Sequence, residues 1–129
     1  MPDKYGIPES TWIQTRAEVR TILIACARER RVLPYGKLAG QIAGIRFQAH
    51  DQRFFDMLGE ISQAENADGR GMLSAVVVTK EGDMVPGEGF FELAKELGKD
   101  VADIDKCWLA EVRHVFDYWS NKEPKKNSR

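Results

Sequence analysis

Few residues of this 129-residue sequence have the types and spacing that enzymatic or metal chemistry requires. The two histidines, His50 and His114, have no further His or Cys at metal-ligand spacing, so the sequence does not support a zinc site. No Ser or Cys lies in a nucleophile-elbow pattern, and no glycine-rich run matches a nucleotide-binding fingerprint. We therefore expect no metal, no cofactor and no catalytic residue.

The two cysteines, Cys26 and Cys107, are far apart in sequence, and each lies in an apolar stretch with helical periodicity. This pattern predicts two buried thiols rather than a disulfide, which is typical of a reducing compartment. The N-terminal residues contain no apolar signal core, and no apolar run approaches the ~20 residues that a membrane span needs. We expect a soluble cytoplasmic protein with no membrane partner.

The most distinctive local sequence is a pair of glycines around Glu88, just before a predicted helix. Glycine permits a positive φ or the close approach of another backbone, and the first N–H groups of a helix suit an anion. A ligand pocket at this point would be lined by Ser74, Pro86, Gly87, Glu88, Gly89 and Phe90. The alternative, which we favour, is that the glycines allow a sharp turn while Phe90 and Phe91 fill the core.

The charges are segregated along the chain, although the net charge is only −1. Residues 16–53 contain eight basic and three acidic side chains, and seven of the eight basic residues are Arg. Residues 80–111 contain four basic and nine acidic side chains. A basic face of planar guanidinium groups suits phosphate. The alternative is that the two oppositely charged segments attract one another within the fold.

Apolar periodicity predicts three helices in the first half of the chain. In the first helix, Thr15 and Glu18 have the spacing of a capping box. Gly44 is expected to end the second helix, and Asp51 to cap the third. The three helices are predicted over residues of about 10–30, 37–43 and 51–66.

The second half is predicted to start with a strand, because residues 72–79 are rich in Val and too few for a helix. A turn after Lys80 then predicts an antiparallel hairpin with residues 83–85, and two more helices follow over residues 90–97 and 104–119. We therefore expect a single α+β domain. It comprises a winged-helix-like part (10–90), a helical extension (91–120), and flexible ends (1–9 and 121–129).

Two segments carry a resemblance to a known family. The first, which reads Val-x-x-Tyr-Gly-x-Leu-Ala, consists of Val32, Tyr35, Gly36, Leu38 and Ala39, and the second of Val77, Val78 and Gly82. With these segments, residues 32–90 resemble the DNA-binding domain of the alkylguanine DNA alkyltransferases and their alkyltransferase-like relatives. The resemblance implies a winged-helix fold, duplex DNA as the partner, and an Arg on the recognition helix, for which Arg53 is the nearest candidate.

The reactive half of that family's active-site motif is absent. Ser74 lies where the family has its reactive cysteine, and Ala75 and Val76 replace the His and Arg that follow it. A serine hydroxyl without a histidine base cannot replace a thiolate of low pKa. The resemblance therefore implies DNA binding without alkyl transfer.

The sequence as a whole favours a non-catalytic module that binds duplex DNA. Arg and Gln near the start of a recognition helix can reach phosphates or base edges. The expected DNA-binding residues are Tyr35, Arg46, Gln48, His50, Gln52, Arg53 and Lys80. One alternative is a small protein-interaction or regulatory module whose working face is the acidic segment 88–111. Another is an enzyme in which Ser74, Glu88 and His50 meet in a pocket.

Overall fold

A computed structural model describes residues 3–48, 51–79 and 86–121. Within these residues the chain forms five α-helices, one 3₁₀ helix and two two-stranded sheets, so the expected α+β class is confirmed. The elements in chain order are β1 (Asp3–Lys4), β2 (Ile7–Pro8), α1 (Glu9–Arg28), β3 (Leu33–Pro34), α2 (Tyr35–Gln41), α3 (Gln52–Ala67), the 3₁₀ helix Leu73–Val76, β4 (Val77–Val78), α4 (Glu88–Glu96) and α5 (Ile104–Asn121).

Residues 3–8, which belong to an end that the sequence analysis expected to be flexible, form a short hairpin. β1 and β2 pair antiparallel across Tyr5 and Gly6, which both have a positive φ, of 57° and 74°. A two-residue turn of this kind matches the right-handed twist of paired strands. The hydroxyl of Tyr5 donates to the carboxylate of Asp56, and its ring lies 6.1 Å from that of Trp12. These contacts hold the hairpin against α1 and α3.

The first helix begins before its predicted capping box, so that prediction is wrong. α1 starts at Glu9, whose charge favours the positive end of the helix dipole, and Thr15 is buried in the helix interior. Glu18 instead accepts hydrogen bonds from the backbone N–H groups of Ala43 (2.7 Å) and Gly44 (3.1 Å). The predicted capping residue thus ties α1 to the chain that follows α2.

Gly44 serves close packing rather than a helix end. α2 ends at Gln41, earlier than predicted. A Cβ at position 44 would lie 2.1 Å from Oγ1 of Thr15, which is far closer than two such atoms can approach. The side chain of Thr15 therefore requires glycine at this position.

The apolar run after α3 corrects the prediction of one strand over 72–79. Leu73–Val76 form the 3₁₀ helix, and only Val77–Val78 form a strand, which pairs in parallel with Leu33–Pro34. Residues 72–78 are all buried, so the run has no exposed face and its pattern does not distinguish a strand from a helical turn. The predicted antiparallel partner, residues 83–85, lies outside the described residues.

This central segment, residues 72–78, is the middle of the hydrophobic core. α1, α3 and α5 all pack against the 3₁₀ helix, and Nε1 of Trp108 donates to the carbonyl of Ala75 at 2.8 Å. The three helices bury apolar side chains, which include Val19, Leu23, Cys26, Phe54, Met57, Leu58, Ile61, Cys107, Val112, Val115 and Trp119. Removal of this apolar surface from water is the main force that holds the helices together.

The ends of α3 and α4 agree with the predicted stop signals. Each helix is followed by a glycine in the left-handed region, Gly69 with φ of 79° and Gly98 with φ of 87°. The next N–H in each case bonds back into the last turn of the helix, at 2.9 and 3.0 Å. α1 ends with the same hydrogen-bond pattern, but there the left-handed residue is Arg30, with φ of 56°.

Candidate nucleic-acid interface

The chain that leads into α3 alternates buried and exposed side chains. Ile45 and Phe47 are buried, and the ring of Phe47 stacks on that of Phe54 in α3 at a centroid distance of 4.9 Å. Arg46 and Gln48, which follow them, are exposed. Anchoring of the two apolar residues therefore leaves an arginine and a glutamine in solvent just before α3.

Asp51 caps α3, as the sequence predicts, and also pairs with Arg53. Its Oδ1 accepts the backbone N–H of Arg53 (3.1 Å), and its Oδ2 accepts the backbone N–H of Gln48 (3.2 Å). The guanidinium of Arg53 bonds both carboxylate oxygens, with Nε–Oδ1 of 2.9 Å and Nη2–Oδ2 of 2.6 Å. These bonds, chiefly that from the guanidinium, lower the pKa of Asp51 to about 2, although desolvation opposes the shift.

Arg53 is directed back onto the loop before α3. Its Nη2 donates to the carbonyl oxygen of Arg46 at 3.4 Å, and its guanidinium carbon lies 5.5 Å from the centre of the Phe47 ring. Sequence reasoning named Asp51 as a cap and Arg53 as a DNA contact but missed their pairing. The signal was present, because an arginine two positions after an N-cap aspartate can reach its carboxylate.

The exposed face of α3 is acidic beyond its first turn. Gln52 is exposed, and its Nε2 donates to Oδ1 of Asp56 at 2.9 Å. One turn further, Glu60 accepts from Nη1 of Arg16 (2.5 Å) and Nε1 of Trp12 (2.9 Å). Carboxylates repel phosphate, so a DNA contact is less favourable along this part of α3 than at the loop before the helix.

Tyr35 connects three helices. It begins α2, its ring meets Phe54 and Phe55 of α3 edge-on at 6.2 and 5.7 Å, and its hydroxyl accepts the N–H of Gly87 at 3.0 Å. Burial raises the pKa of Tyr35 above its usual value, and the bond from Gly87 opposes that shift. The hydroxyl expected to touch DNA is thus used inside the protein, where it holds the start of α4 against α2.

Most arginines of the basic segment 16–53 are paired with carboxylates. The described ion pairs of this segment are Arg16–Glu60, Arg20–Glu65, Arg30–Asp117, Arg31–Glu29 and Arg53–Asp51. Only one of these five partners, Asp117, lies in the C-terminal helices. Among the described residues, neither Lys37 nor Arg46 makes an ion pair, and both are exposed. The positive charge available to a polyanion is therefore smaller than the sequence count suggests.

The residues of the predicted ligand pocket are divided between core and surface. Ser74 is buried, its Oγ lies 2.6 Å from that of Ser62, and its N–H donates to Ser62 at 2.9 Å. Pro86 and Phe90 are buried, whereas Glu88 and Gly89 are exposed in the first turn of α4. No hydrogen bond joins Ser74 to Glu88 in the part of the chain that the structure describes.

The two glycines around Glu88 do not have the conformation that suggested a binding loop. Gly87 has φ of −74°, which any residue adopts, and φ of Gly89 is not positive either. A Cβ on Gly89 would meet nothing within 4 Å. Phe90 and Phe91 are buried, so this turn has the core-filling role that the sequence analysis favoured.

The other reactive side chains are distributed through the fold. Cys26 and Cys107 are free and buried, and burial raises the pKa of each thiol. His114 is exposed, with Nε2 3.1 Å from the carbonyl oxygen of Gly69. Within residues 3–48, 51–79 and 86–121 no three His, Cys, Asp or Glu side chains cluster as metal ligands. His50 and Lys80 lie outside these residues.

Comparisons with known proteins do not assign a function to this surface. No protein family, curated protein or solved structure matches this chain. None of the helices among the described residues is both long and apolar enough to cross a bilayer.

Proposed function

We propose that this chain is a non-catalytic DNA-binding module, winged-helix-like over residues 10–90, that contacts the phosphates of duplex DNA. The observation that carries the proposal is the exposed pair Arg46 and Gln48 immediately before α3, with Gln52 in its first turn. The family resemblance of residues 32–90 points in the same direction. A wing would have to come from residues 79–86, most of which lie outside the described part of the chain.

The chemistry of this surface suits a phosphate backbone. Arg46 has no carboxylate partner among the described residues, so none of their carboxylates neutralises its charge. Exposed Gln48 and Gln52 can donate to phosphate oxygens or to base edges.

The interior favours binding over group transfer. Ser74, at the position of the resembled family's reactive cysteine, shares a buried hydrogen bond with Ser62. Both thiols are buried and have a raised pKa, so they are protonated at neutral pH. None of these three side chains is therefore both accessible and activated as a nucleophile.

A second candidate is a protein-interaction module that uses the C-terminal helices. Its support is the internal pairing of most arginines of the basic segment, which leaves little positive charge for DNA. The carboxylates of α4 and the chain up to α5, by contrast, are largely exposed, namely those of Glu88, Glu92, Glu96, Asp100, Asp103 and Asp105. A basic protein partner would fit this face.

The proposal is tested by fluorescence anisotropy with a labelled duplex at low salt. The variant Arg46→Ala should bind about three- to tenfold more weakly than wild type, because it loses a phosphate contact. Arg113→Ala is the matched control, since Arg113 is an exposed arginine of α5 and its removal changes the net charge equally. Equal effects of the two substitutions would mean that only net charge matters and that the surface before α3 is not the interface.

The same assay separates the two candidate functions. Glu92→Ala with Glu96→Ala removes two carboxylates from the exposed face of α4 and should leave DNA binding unchanged or slightly stronger. The interaction module would be favoured if the wild-type protein does not bind DNA but binds a basic protein partner, and if the double variant loses that partner.

A further inference from the structure

We infer that Arg53 is a positioning residue that, with Asp51, holds segment 46–48 in place, and that Arg46 rather than Arg53 contacts phosphate. The inference rests on the proposed DNA-binding function for its role, but its geometry can be tested without DNA. It reverses the assignment that the sequence suggested, in which Arg53 is the DNA-binding arginine of the recognition helix.

The pair joins the loop to α3 at three points. Asp51 accepts the backbone N–H of Gln48, Arg53 donates to the carbonyl oxygen of Arg46, and the Arg53 guanidinium lies over the ring of Phe47. Each of the three consecutive loop residues is therefore contacted by one member of the pair. Backbone contacts at residues 46 and 48 and a ring contact at 47 fix the direction in which Arg46 and Gln48 project.

The donors of Arg53 are engaged within the protein. Its Nε and Nη2 groups make two bonds to Asp51 and one to the Arg46 carbonyl. To bind a phosphate with this edge, the guanidinium would have to leave a bidentate carboxylate pair. Asp51 would in addition repel a phosphate brought to the same place. The side chain of Arg46 has no such partner among the described residues, and Arg46 is exposed to solvent.

Amide hydrogen exchange tests the positioning in the free protein. In Arg53→Ala the N–H of Gln48 should exchange at least about fivefold faster than in wild type, because Asp51 is no longer held beside it. Arg53→Lys should rescue little of the protection, since a lysine cannot make the bidentate contact. Amide N–H groups of the central segment 72–78 serve as the control for folding. Unchanged protection at Gln48 in the folded Arg53→Ala variant would overturn the inference.

Salt dependence of DNA binding tests the division of roles. The slope of log K against log salt should be shallower by about 0.9 in Arg46→Ala, which loses one phosphate contact, and unchanged in Arg53→Ala. Arg53→Ala should nevertheless bind several-fold more weakly at a given salt, because its loop is less ordered. A slope change of the same size in both variants would assign a phosphate contact to Arg53.

The variant Asp51→Asn tests the inference by whether the salt dependence of DNA binding changes. It removes a negative charge and frees the Arg53 guanidinium, yet it keeps an N-cap residue. If Arg53 positions the loop, this variant leaves the slope of log K against log salt unchanged. If Arg53 is a phosphate ligand that Asp51 restrains, the slope becomes steeper by about 0.9, which contradicts the inference. Absence of binding by wild type would instead reject the proposed function, and the hydrogen-exchange result would still decide the geometry.

Discussion

Arg30, one residue beyond the C-cap of α1, is bonded to Asp117 of α5, with 2.9 Å between Nη2 and Oδ1. Its Nη1 also donates to Oγ of Ser120 at 3.0 Å, and its guanidinium carbon lies 5.5 Å from the centre of the Phe116 ring. The backbone of Arg30 is left-handed, with φ of 56°, a conformation that costs a non-glycine residue roughly 1 kcal/mol. Contacts between α1 and α5 thus offset an unfavourable helix end.

This relationship predicts effects of different size for two substitutions at position 30. Arg30→Ala keeps the left-handed strain and loses the contacts to α5, so it should lower the free energy of unfolding by about 1 kcal/mol. Arg30→Gly loses the same contacts but removes the strain, and should be close to neutral. Urea unfolding of the two variants measures the difference. A glycine variant as unstable as the alanine variant would show that strain at Arg30 is negligible.

The buried carboxylate of Glu65 should be one of the most sensitive charged positions. Glu65 is 2% exposed and bonds Nε of Arg20 (2.6 Å) and Nε of Arg70 (2.5 Å). Glu65→Ala leaves these two cations facing one another without their shared partner, so it should cost about 3 kcal/mol of stability. Glu29→Ala, which breaks the exposed pair with Arg31, should cost under about 1 kcal/mol. Equal losses in urea denaturation would refute this ranking.

The pKa of Glu65 gives the same prediction a pH dependence. Burial alone would raise that pKa, but the hydrogen bonds from Arg70 and Arg20 outweigh burial and lower it. A carboxyl whose pKa is lowered by folding stabilises the protein above its unfolded pKa, and this contribution is lost as pH falls through the folded value. The gap in stability between wild type and Glu65→Ala should therefore narrow in acid.

Asp51 should titrate at unusually low pH. Its pKa is about 2 in the folded protein against 3.8 for an unperturbed aspartate, chiefly because of the hydrogen bond from Arg53. The resulting stabilisation is complete above pH 3.8 and is lost as pH falls toward 2. Carbon-detected NMR of the Asp51 carboxyl should show this low midpoint, and Arg53→Ala should move it upward. A midpoint near 3.8 in wild type would show that the pair does not persist in solution.

The two thiols should react slowly while the protein is folded. Burial raises the pKa of both Cys26 and Cys107, and nearby Glu111 raises that of Cys107 further. A thiol-specific chromogenic reagent should therefore label neither at neutral pH until denaturant is added. Replacement of each by Ala should cost about 1 kcal/mol and leave DNA binding intact. Rapid labelling of the native protein would show that one thiol is accessible.

The helices could be predicted from the sequence because their apolar periodicity and stop signals agree with their packing. α3 is the clearest case, since Asp51 caps it and its apolar face is the one buried in the core. The central segment 72–78 could not be predicted to the same extent. A fully buried run has no polar face to reveal its periodicity, and its strand partner, Leu33–Pro34, is distant in sequence.

The candidate interface was predictable in its location but not in the role of each residue. The sequence identified the exposed Arg46, Gln48 and Gln52 near the start of α3. It did not indicate that Tyr35 binds Gly87 or that Arg53 binds Asp51, because both contacts depend on side-chain direction in the folded chain. The count of basic residues overestimated the positive charge available to DNA for a related reason. It includes arginines such as Arg20, which is paired with a carboxylate across the α1–α3 interface.

A salt titration of wild-type protein with labelled duplex DNA tests the central claim most directly. We predict binding at low salt, with log K falling linearly against log salt at a slope between about −2 and −4, as expected for a few neutralised phosphates. Unlabelled duplexes of unrelated sequence should compete almost equally, because backbone contacts carry little sequence information. No binding at low salt, or binding that salt does not weaken, would contradict the account.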